Sequence, residues 1–263
     1  MQRFSTWIAH LVFLTCLLGV ALPAASAPQA ELNVAVAANF VSTLQKLSER
    51  FEKAHGAKIL ASPGSTGQLY AQIKKGAPYD VLLSADAERP QQLETEGLGV
   101  KGTRFTYAIG QLVLWSPKPG FVDAEGKVLS KPDLRFVSLA DPKTAPYGAA
   151  AEQVLSKLGL LAPLRAANKL VYGESVGQAH QFASSGHADC GFVALSQVLD
   201  NGGKPTGSMW SIPEAQHAPL NQDAIVISKS EKQTLAKKFL DFLRKDAAAV
   251  QIIRAAGYAI PKR

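Results

Sequence analysis

The sequence predicts an α/β fold of two lobes, each a mixed, mostly parallel sheet flanked by helices, with a ligand cleft between the lobes. Two observations carry this prediction. Short apolar strands alternate with helices along the chain, an order that is typical of parallel α/β sheets. Residues 105–116 form an apolar segment long enough to run from one lobe into the other, and residues 224–228 are predicted to form a strand that returns to the first lobe.

The N-terminus has the three parts of a secretory signal peptide. Arg3 supplies the charged region, residues 7–22 form the apolar run, and small residues follow at 24–27. The apolar run is short for a membrane span, so an uncleaved anchor is only the alternative interpretation. Pro28 is a poor residue directly after a scissile bond, which leaves the cleavage position open. We therefore expect residues 1–27 to be a signal peptide and the mature protein to be periplasmic.

Composition describes a globular chain, because 47% of its 263 residues are hydrophobic and 19% are charged. Removing the leader takes away Arg3 and Cys16, which lowers the formal net charge from +7 to +6 and leaves Cys190 as the single cysteine. An intramolecular disulfide is then excluded. The basic residues are dispersed among acids instead of clustering with aromatics, which argues against a nucleic-acid partner.

The first lobe begins with an apolar strand at residues 31–38. Asn39 lies where an N-cap belongs, before a helix whose apolar residues keep helical spacing and which ends at Gly56. Residues 57–62 form the next strand, followed by a helix to about Lys75. In a parallel sheet ligands lie beyond the carboxyl ends of strands, so both helix starts are expected at one edge.

Residues 64–67, Gly-Ser-Thr-Gly, are a candidate anion cradle at the second of these helix starts. Glycines allow close approach of the backbone, hydroxyls add donors, and the first turn of a helix has unpaired N–H groups at the positive end of its dipole. The alternative is a simple N-cap. After a strand at residues 80–84, Asp86 is expected to cap the next helix.

The middle of the chain repeats this order of elements. A strand at residues 136–139 precedes a helix that starts near Pro146, and a strand at 170–172 precedes a helix start near Val176. A buried strand follows at residues 189–194, and residues 235–243 form an amphipathic helix. Two lobes joined by two crossings would bring the four helix starts into one cleft.

Six sequence motifs, taken together, are specific for one family of proteins. They are VAVAANF (34–40), GSTGQLYAQI (64–73), GAPYDVLLSAD (76–86), APYG (145–148), SVGQAH (175–180) and AAGYAIP (255–261). With these motifs the chain resembles the periplasmic molybdate-binding proteins, the substrate-binding components of ABC importers, over essentially all of its mature length. The last motif is typical of the C-terminal helix of that family.

The resemblance implies a type II periplasmic-binding-protein fold and high-affinity capture of molybdate, and of tungstate too. It implies a monomer that delivers the oxyanion to an ABC permease in the inner membrane with its cytoplasmic ATPase, and that needs no cofactor. We expect lobe I to comprise residues 28–108 and 222–263, and lobe II to comprise residues 109–221.

The resemblance also implies the ligand-binding residues, many of them through backbone N–H groups. They are Ala38, Asn39, Thr66, Tyr147 and Val176. Molybdenum would enter only as the bound oxyanion. Two positions depart from branches of the family: Ala38 stands where one branch has threonine, and Ala194 stands where another has tyrosine. Both hydroxyls are missing here, which lowers the number of side-chain donors.

Chemistry supports this class of ligand independently. A fully deprotonated tetrahedral dianion needs only donors, whereas hydrogen phosphate carries a proton and favours a carboxylate acceptor. The five implied residues include no carboxylate and no Lys or Arg, a pattern that favours molybdate, tungstate or sulfate over phosphate. Glu174, close in sequence to Val176, is expected to point away. A receptor for sulfate or another tetrahedral oxyanion is the alternative.

An exported enzyme is the alternative from a different class. Its only candidate pair is Cys190 with His180 or His187, and Cys190 lies in an apolar strand where a buried, inert thiol is the common case. The five histidines of the chain show no metal-ligand spacing. We therefore predict a binding protein without catalytic residues.

Overall fold

Two five-stranded sheets, each flanked by helices, form two lobes in the computed structural model, which describes residues 29–200 and 202–262. The predicted fold class is confirmed. The predicted leader, residues 1–27, lies outside the described residues. Among those residues, no helix is both long and apolar enough to cross a bilayer.

The elements are numbered in chain order. The strands are β1 (Ala30–Ala37), β2 (Ala57–Gly64), β3 (Val81–Leu83), β4 (Phe105–Gly110), β5 (Leu112–Ser116), β6 (Val137–Ala140), β7 (Leu170–Gly173), β8 (Cys190–Ala194), β9 (Ser208–Ser211) and β10 (Leu220–Val226). The helices are α1 (Val41–His55), α2 (Thr66–Lys74), α3 (Glu88–Thr95), α4 (Pro146–Lys157), α5 (Leu161–Ala166), α6 (Val176–Ser184), α7 (Gln233–Lys245) and α8 (Ala247–Ala255).

The first sheet has the strand order β2-β1-β3-β10-β4. Strand β1 is parallel to β2 and β3, and β10 is antiparallel to β3 and β4. The register pairs Ala37 with Gly64, so β1 and β2 end side by side. Both strands then lead directly into helical turns, which places two helix starts at one edge of this sheet.

The second sheet has the order β7-β6-β8-β5-β9 and repeats this arrangement. Strand β6 is parallel to β7 and β8, while β5 is antiparallel to β8 and β9. Ala140 pairs with Gly173, so β6 and β7 also end side by side before α4 and α6. Each lobe therefore presents two helix starts at the carboxyl ends of neighbouring parallel strands.

Each lobe has its own hydrophobic core. In the first, Phe51 of α1 lies against Phe239 and Phe242 of α7, with ring centroids 5.1 and 5.3 Å apart. These rings occupy the apolar faces that the helical spacing predicts, and they cover one side of the first sheet. In the second, Val154 and Leu155 of α4 and the strand residue Phe192 are fully buried together.

The chain crosses between the sheets within one residue. Strand β4 ends at Gly110 and β5 begins at Leu112, so the apolar segment predicted at residues 105–116 is two strands, one in each sheet. A Cβ atom at Gly110 would overlap the hydroxyl oxygen of the buried Tyr147 side chain, so glycine at this position leaves room for that side chain. The predicted lobe boundaries at residues 108/109 and 221/222 fall inside β4 and β10; they stay a prediction.

Two local predictions are wrong. Asn39 does not cap α1, because a short 3₁₀ turn, Ala38–Phe40, precedes that helix and the Asn39 side chain bonds elsewhere. The AAGYAIP motif does not form a helix, because α8 ends at Ala255, which is the first residue of the motif. Two others are confirmed: Gly56 ends α1 in the left-handed region (φ 66°), and Asp86 Oδ1 accepts the N–H of Arg89 at 3.0 Å.

Candidate anion-binding site

A narrow cavity of about 10 Å³ lies between the lobes where the two pairs of parallel strands end. Its lining residues are Ala37, Ala38, Asn39, Gly64, Ser65, Thr66, Ala85, Ala145, Pro146, Tyr147, Ser175 and Val176. All five residues predicted to bind the ligand are among them. The fold therefore brings together positions that are up to 138 residues apart in sequence (38 to 176).

Four chain turns surround this cavity, two from each lobe. They are the 3₁₀ turn at Ala38–Phe40, the start of α2 at Thr66, the start of α4 at Pro146 and the start of α6 at Val176. The first N–H groups of a helix have no acceptor within the helix and lie at the positive end of its dipole. The arrangement therefore concentrates main-chain donors on one small volume, which suits an anion.

The start of α4 shows how the sequence places one of these donors. Pro146 occupies the first helical position, where its missing N–H costs nothing. The N–H groups of Ala145 and Gly148 donate to Asp141 O and Ala145 O, at 2.9 Å in each case. Between them, Tyr147 has the first helical N–H of α4 and lines the cavity.

No residue that lines the cavity is Asp, Glu, Lys, Arg or His. The potential acidic exception, Glu174, is exposed and borders a separate surface depression with Asp141 and Arg165. The prediction that Glu174 points away from the site is confirmed. A ligand in this cavity would meet only neutral groups: main-chain N–H groups, hydroxyls, an amide and aliphatic carbons.

Asn39 is 1% exposed, and its side chain is fixed by two hydrogen bonds. Its Nδ2 donates to Gln222 Oε1 and to Tyr258 Oη, at 3.0 Å in each case. Both amide hydrogens are therefore used, and Asn39 Oδ1 is buried without a partner among the described residues. Any donation by Asn39 to a ligand has to come from its main-chain N–H.

The two hydroxyls at the start of α2 have different surroundings. Thr66 Oγ1 accepts the N–H of Ala85 at 3.0 Å, so its position is fixed while its own hydrogen is still available for donation. Ser65 Oγ is buried and has no partner among the described residues. Ser65 and Ser175 are lining hydroxyl residues that the five predicted residues omit, although the place of each between a strand end and a helix start signals it.

Gly67 does not form part of the predicted anion cradle. Its N–H donates to Thr144 O of the other lobe at 2.8 Å, so it serves the contact between lobes. Gly64 lines the cavity, and a Cβ atom there would lie 3.1 Å from Leu69 Cδ2, so its glycine relieves packing on α2. Of the cradle predicted at residues 64–67, only residues 64–66 line the cavity.

Tyr147 is fully buried, with its hydroxyl oxygen accepting from Gln222 Nε2 at 3.2 Å. Burial raises the phenol pKa well above its usual value, so the side chain is neutral.

On α6, Ser175 Oγ caps the helix by accepting the N–H of Gln178 at 3.4 Å, and Val176 contributes the first helical N–H. Tyr147 and Val176 therefore each carry the first N–H of a helix and line the cavity.

Residues 32–259 match the model of the bacterial extracellular solute-binding protein family. The chain belongs to this family. It is 49% identical over 243 residues to the molybdate-binding protein ModA of Azotobacter vinelandii, covering 92% of this chain and 95% of the relative. ModA of Rhodobacter capsulatus is 46% identical over 245 residues, with 93% of each chain covered.

The solved structure of the Azotobacter vinelandii periplasmic molybdate-binding protein superimposes on this solute-binding protein with a TM-score of 0.86. Its sequence identity is 45%, and the match covers 88% of this chain and 100% of that one. The resemblance to molybdate-binding proteins is thereby confirmed. These relatives are transport components without catalysis, and this solute-binding protein is not an enzyme.

The surroundings of Cys190 agree with that conclusion. Its side chain is 0% exposed in β8, and burial raises the pKa of the thiol to about 12. His180 stacks on Trp115 with ring centroids 5.1 Å apart, and His187 Nδ1 lies 2.8 Å from Ser185 Oγ. The exported-enzyme alternative is wrong, because the thiol stays protonated and both candidate bases have other contacts.

The two departures from other branches of the family have different positions in this solute-binding protein. Ala38 lines the cavity, so the methyl group there replaces a hydroxyl directly at the site. Ala194 is fully buried at the end of β8, paired with Leu112, and does not line the cavity. Neither position contributes a side-chain donor, which leaves main-chain N–H groups and the serine and threonine hydroxyls of Ser65, Thr66 and Ser175.

Proposed function

We propose that this protein captures molybdate in the periplasm by closing its two lobes around the ion. The observation that carries the proposal is the interlobe cavity, where four helical turns present N–H groups and hydroxyls and no charged side chain lines the wall. The molybdate-binding relatives at 49% and 46% identity support the choice of ion. The oxyanion is the transported ligand, and no cofactor is required.

The proposed donors are main-chain N–H groups at Ala38, Asn39, Tyr147 and Val176, with the hydroxyls of Thr66 and Ser65. Neutral dipoles can compensate a buried dianion when each of its oxygens is paired, and several converging N–H groups satisfy that condition. Hydroxyl donors bond a charged acceptor more strongly than a neutral one. No countercharge is then needed in the cavity.

The absence of a carboxylate from the lining is the proposed basis for rejecting phosphate. Hydrogen phosphate needs an acceptor for its proton. Among the described residues, the buried oxygens without a partner at the site are Asn39 Oδ1 and Ser65 Oγ, a neutral amide oxygen and a hydroxyl oxygen, both weaker acceptors than a carboxylate. Molybdate, tungstate and sulfate carry no such proton.

Tungstate is proposed as a second ligand, because it nearly matches molybdate in shape and charge. Sulfate is the alternative, since a cavity with only neutral donors also suits that dianion. The relatives named above favour molybdate, and direct comparison of the ions separates these possibilities.

Delivery to an importer is the further part of the proposal. A putative ABC transporter substrate-binding lipoprotein of Bacillus subtilis is 26% identical over 254 residues, which supports an ABC permease with its cytoplasmic ATPase as the partner. We propose that residues 1–27 direct export and that the mature protein acts as a monomer. N-terminal sequencing of the exported protein tests the first statement, and light scattering during gel filtration tests the second.

Isothermal titration of the leaderless protein with molybdate, tungstate, sulfate and phosphate tests the function. We expect tight, one-to-one binding of molybdate and tungstate and none of phosphate. At about 100 times the dissociation constant, a ligand that binds only the folded protein should raise the free energy of unfolding by roughly 2.7 kcal/mol. Tighter binding of sulfate than of molybdate would assign the alternative, and equal binding of phosphate would contradict the neutral-donor argument.

A further inference from the structure

Three oxygen atoms from separate parts of the chain meet behind the cavity wall. Tyr258 Oη lies 2.7 Å from the main-chain oxygen of Asn39 and 2.9 Å from Ser196 Oγ. Ser196 Oγ lies 2.9 Å from the same oxygen of Asn39. We call this group of Asn39 O, Tyr258 Oη and Ser196 Oγ the Asn39 clasp.

The clasp joins the two lobes. Asn39 belongs to the 3₁₀ turn after β1 in the first sheet, and Tyr258 follows α8, its ring packed on Phe40 with centroids 5.3 Å apart. Ser196 lies in a short 3₁₀ turn, Leu195–Gln197, directly after β8 of the second sheet. The Ser196 hydroxyl is therefore the only member of the clasp that comes from the second lobe.

The clasp holds the Asn39 residue from several sides. A carbonyl oxygen has two lone pairs and can accept from the hydroxyls of Tyr258 and Ser196 together. Tyr258 Oη in turn accepts from Asn39 Nδ2 at 3.0 Å. Because Asn39 is bonded at both its carbonyl and its side chain, the turn that presents main-chain N–H groups to the cavity has little freedom to rotate.

We propose that Tyr258 and Ser196 are positioning residues for the anion, with separate roles. Tyr258 orders the Asn39 turn within the first lobe, whether the cleft is open or closed. Ser196 completes the clasp only when the lobes close, and it thereby slows release of the ion. The inference rests on the proposed function, and neither side chain is among the cavity-lining residues.

The test is a stopped-flow measurement of molybdate binding to Ser196→Ala. Because the bond forms after closure, we expect the dissociation rate to rise about two- to tenfold while the association rate stays unchanged. The melting temperature of the free protein should also stay unchanged. Ser184→Ala is the matched control, since that exposed hydroxyl bonds only its own helix at Gln181 O. An unchanged dissociation rate overturns the role of Ser196.

Tyr258→Phe tests whether the Tyr258 hydroxyl orders the Asn39 turn, and it keeps the ring contact with Phe40. We expect weaker binding, by about two- to tenfold in the dissociation constant, with a contribution from slower association because the turn is no longer ordered. Tyr79→Phe, which removes an exposed hydroxyl bonded to Gln72, is the control. Affinity and association rate equal to those of the parent overturn the role of Tyr258.

An interlobe distance separates failure of the clasp from failure of the proposed function. Spin labels on Gln45→Cys and Gln181→Cys, both exposed helical positions, report the separation of the lobes. We expect Ser196→Ala to reduce the population with the short distance. If the parent does not bind molybdate, the proposed function is wrong. The interlobe distance still tests the clasp in that case, because a distance distribution in Ser196→Ala that equals that of the parent overturns it.

Discussion

The N–H of Gly67 donates a 2.8 Å hydrogen bond to the carbonyl oxygen of Thr144, which joins the first turn of α2 to the segment before α4 in the other lobe. A Cβ atom at position 67 would lie 3.0 Å from both Cα and O of Thr144. These are main-chain atoms that cannot turn aside as a flexible side chain can. The lobes therefore meet backbone to backbone beside the cavity, and this close contact favours glycine.

Gly67→Ala is expected to weaken molybdate binding by hindering closure. Overpacking costs about 1–3 kcal/mol, which corresponds to roughly a 5- to 150-fold rise in the dissociation constant. The free protein should be as stable as the parent or more so, because alanine favours a helix interior by about 1 kcal/mol over glycine. Calorimetric titration and thermal melting measure the two effects.

Gly177→Ala is the matched comparison, because a Cβ atom there would lie 3.3 Å from Ala38 Cβ, a side-chain atom, and no main-chain atom of the other lobe comes as near. Its effect on affinity should be smaller than that of Gly67→Ala. Equal affinities for Gly67→Ala and the parent would mean that the ion binds without this interlobe contact.

Ser65→Ala is expected to lower affinity for molybdate without lowering stability. Ser65 Oγ is buried and has no partner in the described part of the chain, so its removal breaks no internal bond. A hydrogen bond to a charged partner contributes roughly 1.5–3 kcal/mol, so affinity should fall about 10- to 150-fold. Titration measures the change, and binding like that of the parent would remove Ser65 from the site.

Thr66→Val is expected to lower both the stability of the protein and its affinity for molybdate. The N–H of Ala85 loses its acceptor, which should cost about 1–3 kcal/mol of stability, and affinity should fall because the hydroxyl is also a proposed donor. Urea unfolding and titration separate these effects. A loss of stability with unchanged affinity would assign the Thr66 hydroxyl to structure alone.

Tyr147→Phe is expected to bind molybdate almost as the parent does, because the proposed donor at this position is the main-chain N–H. Stability should fall by about 1–3 kcal/mol, since Gln222 Nε2 loses the hydroxyl oxygen it donates to in a buried position. Titration of protein shown by circular dichroism to be folded tests this. A large loss of affinity would make the phenol a ligand.

Cys190→Ala is expected to leave affinity for molybdate unchanged, because the thiol lies in the core of the second lobe and not at the cavity. The raised pKa of about 12 favours the neutral thiol, so the native protein should resist a thiolate-selective reagent at neutral pH. Unfolding lowers the pKa to its ordinary range and should expose the group to labelling. Rapid labelling of the native protein would contradict this burial.

The sequence was sufficient for the alternation of strands and helices, because apolar periodicity and helix-ending glycines such as Gly56 are local signals. It also placed Ala38, Asn39, Thr66, Tyr147 and Val176 at one cavity, although there the resemblance to a family did much of the work. Their convergence depends on which strands are neighbours, and local patterns alone do not determine that.

Other features could not be predicted because they arise from distant contacts. The N–H of Gly67 looked available at a helix start, but Thr144 of the other lobe accepts it. The side chain of Asn39 had the position of an N-cap, yet Gln222 and Tyr258, more than 180 residues away, bind both its amide hydrogens. The partners lie far along the chain, so no local pattern indicates them.

A crystal grown with molybdate, measured for anomalous scattering by molybdenum, tests the central claim most directly. We predict a single strong anomalous peak in the cavity, enclosed by the turn at Ala38–Phe40 and the starts of α2, α4 and α6, with oxygens of the ion facing main-chain N–H groups and the Ser65 hydroxyl. A peak at surface lysines or arginines, with the cavity holding no molybdenum, would contradict the account.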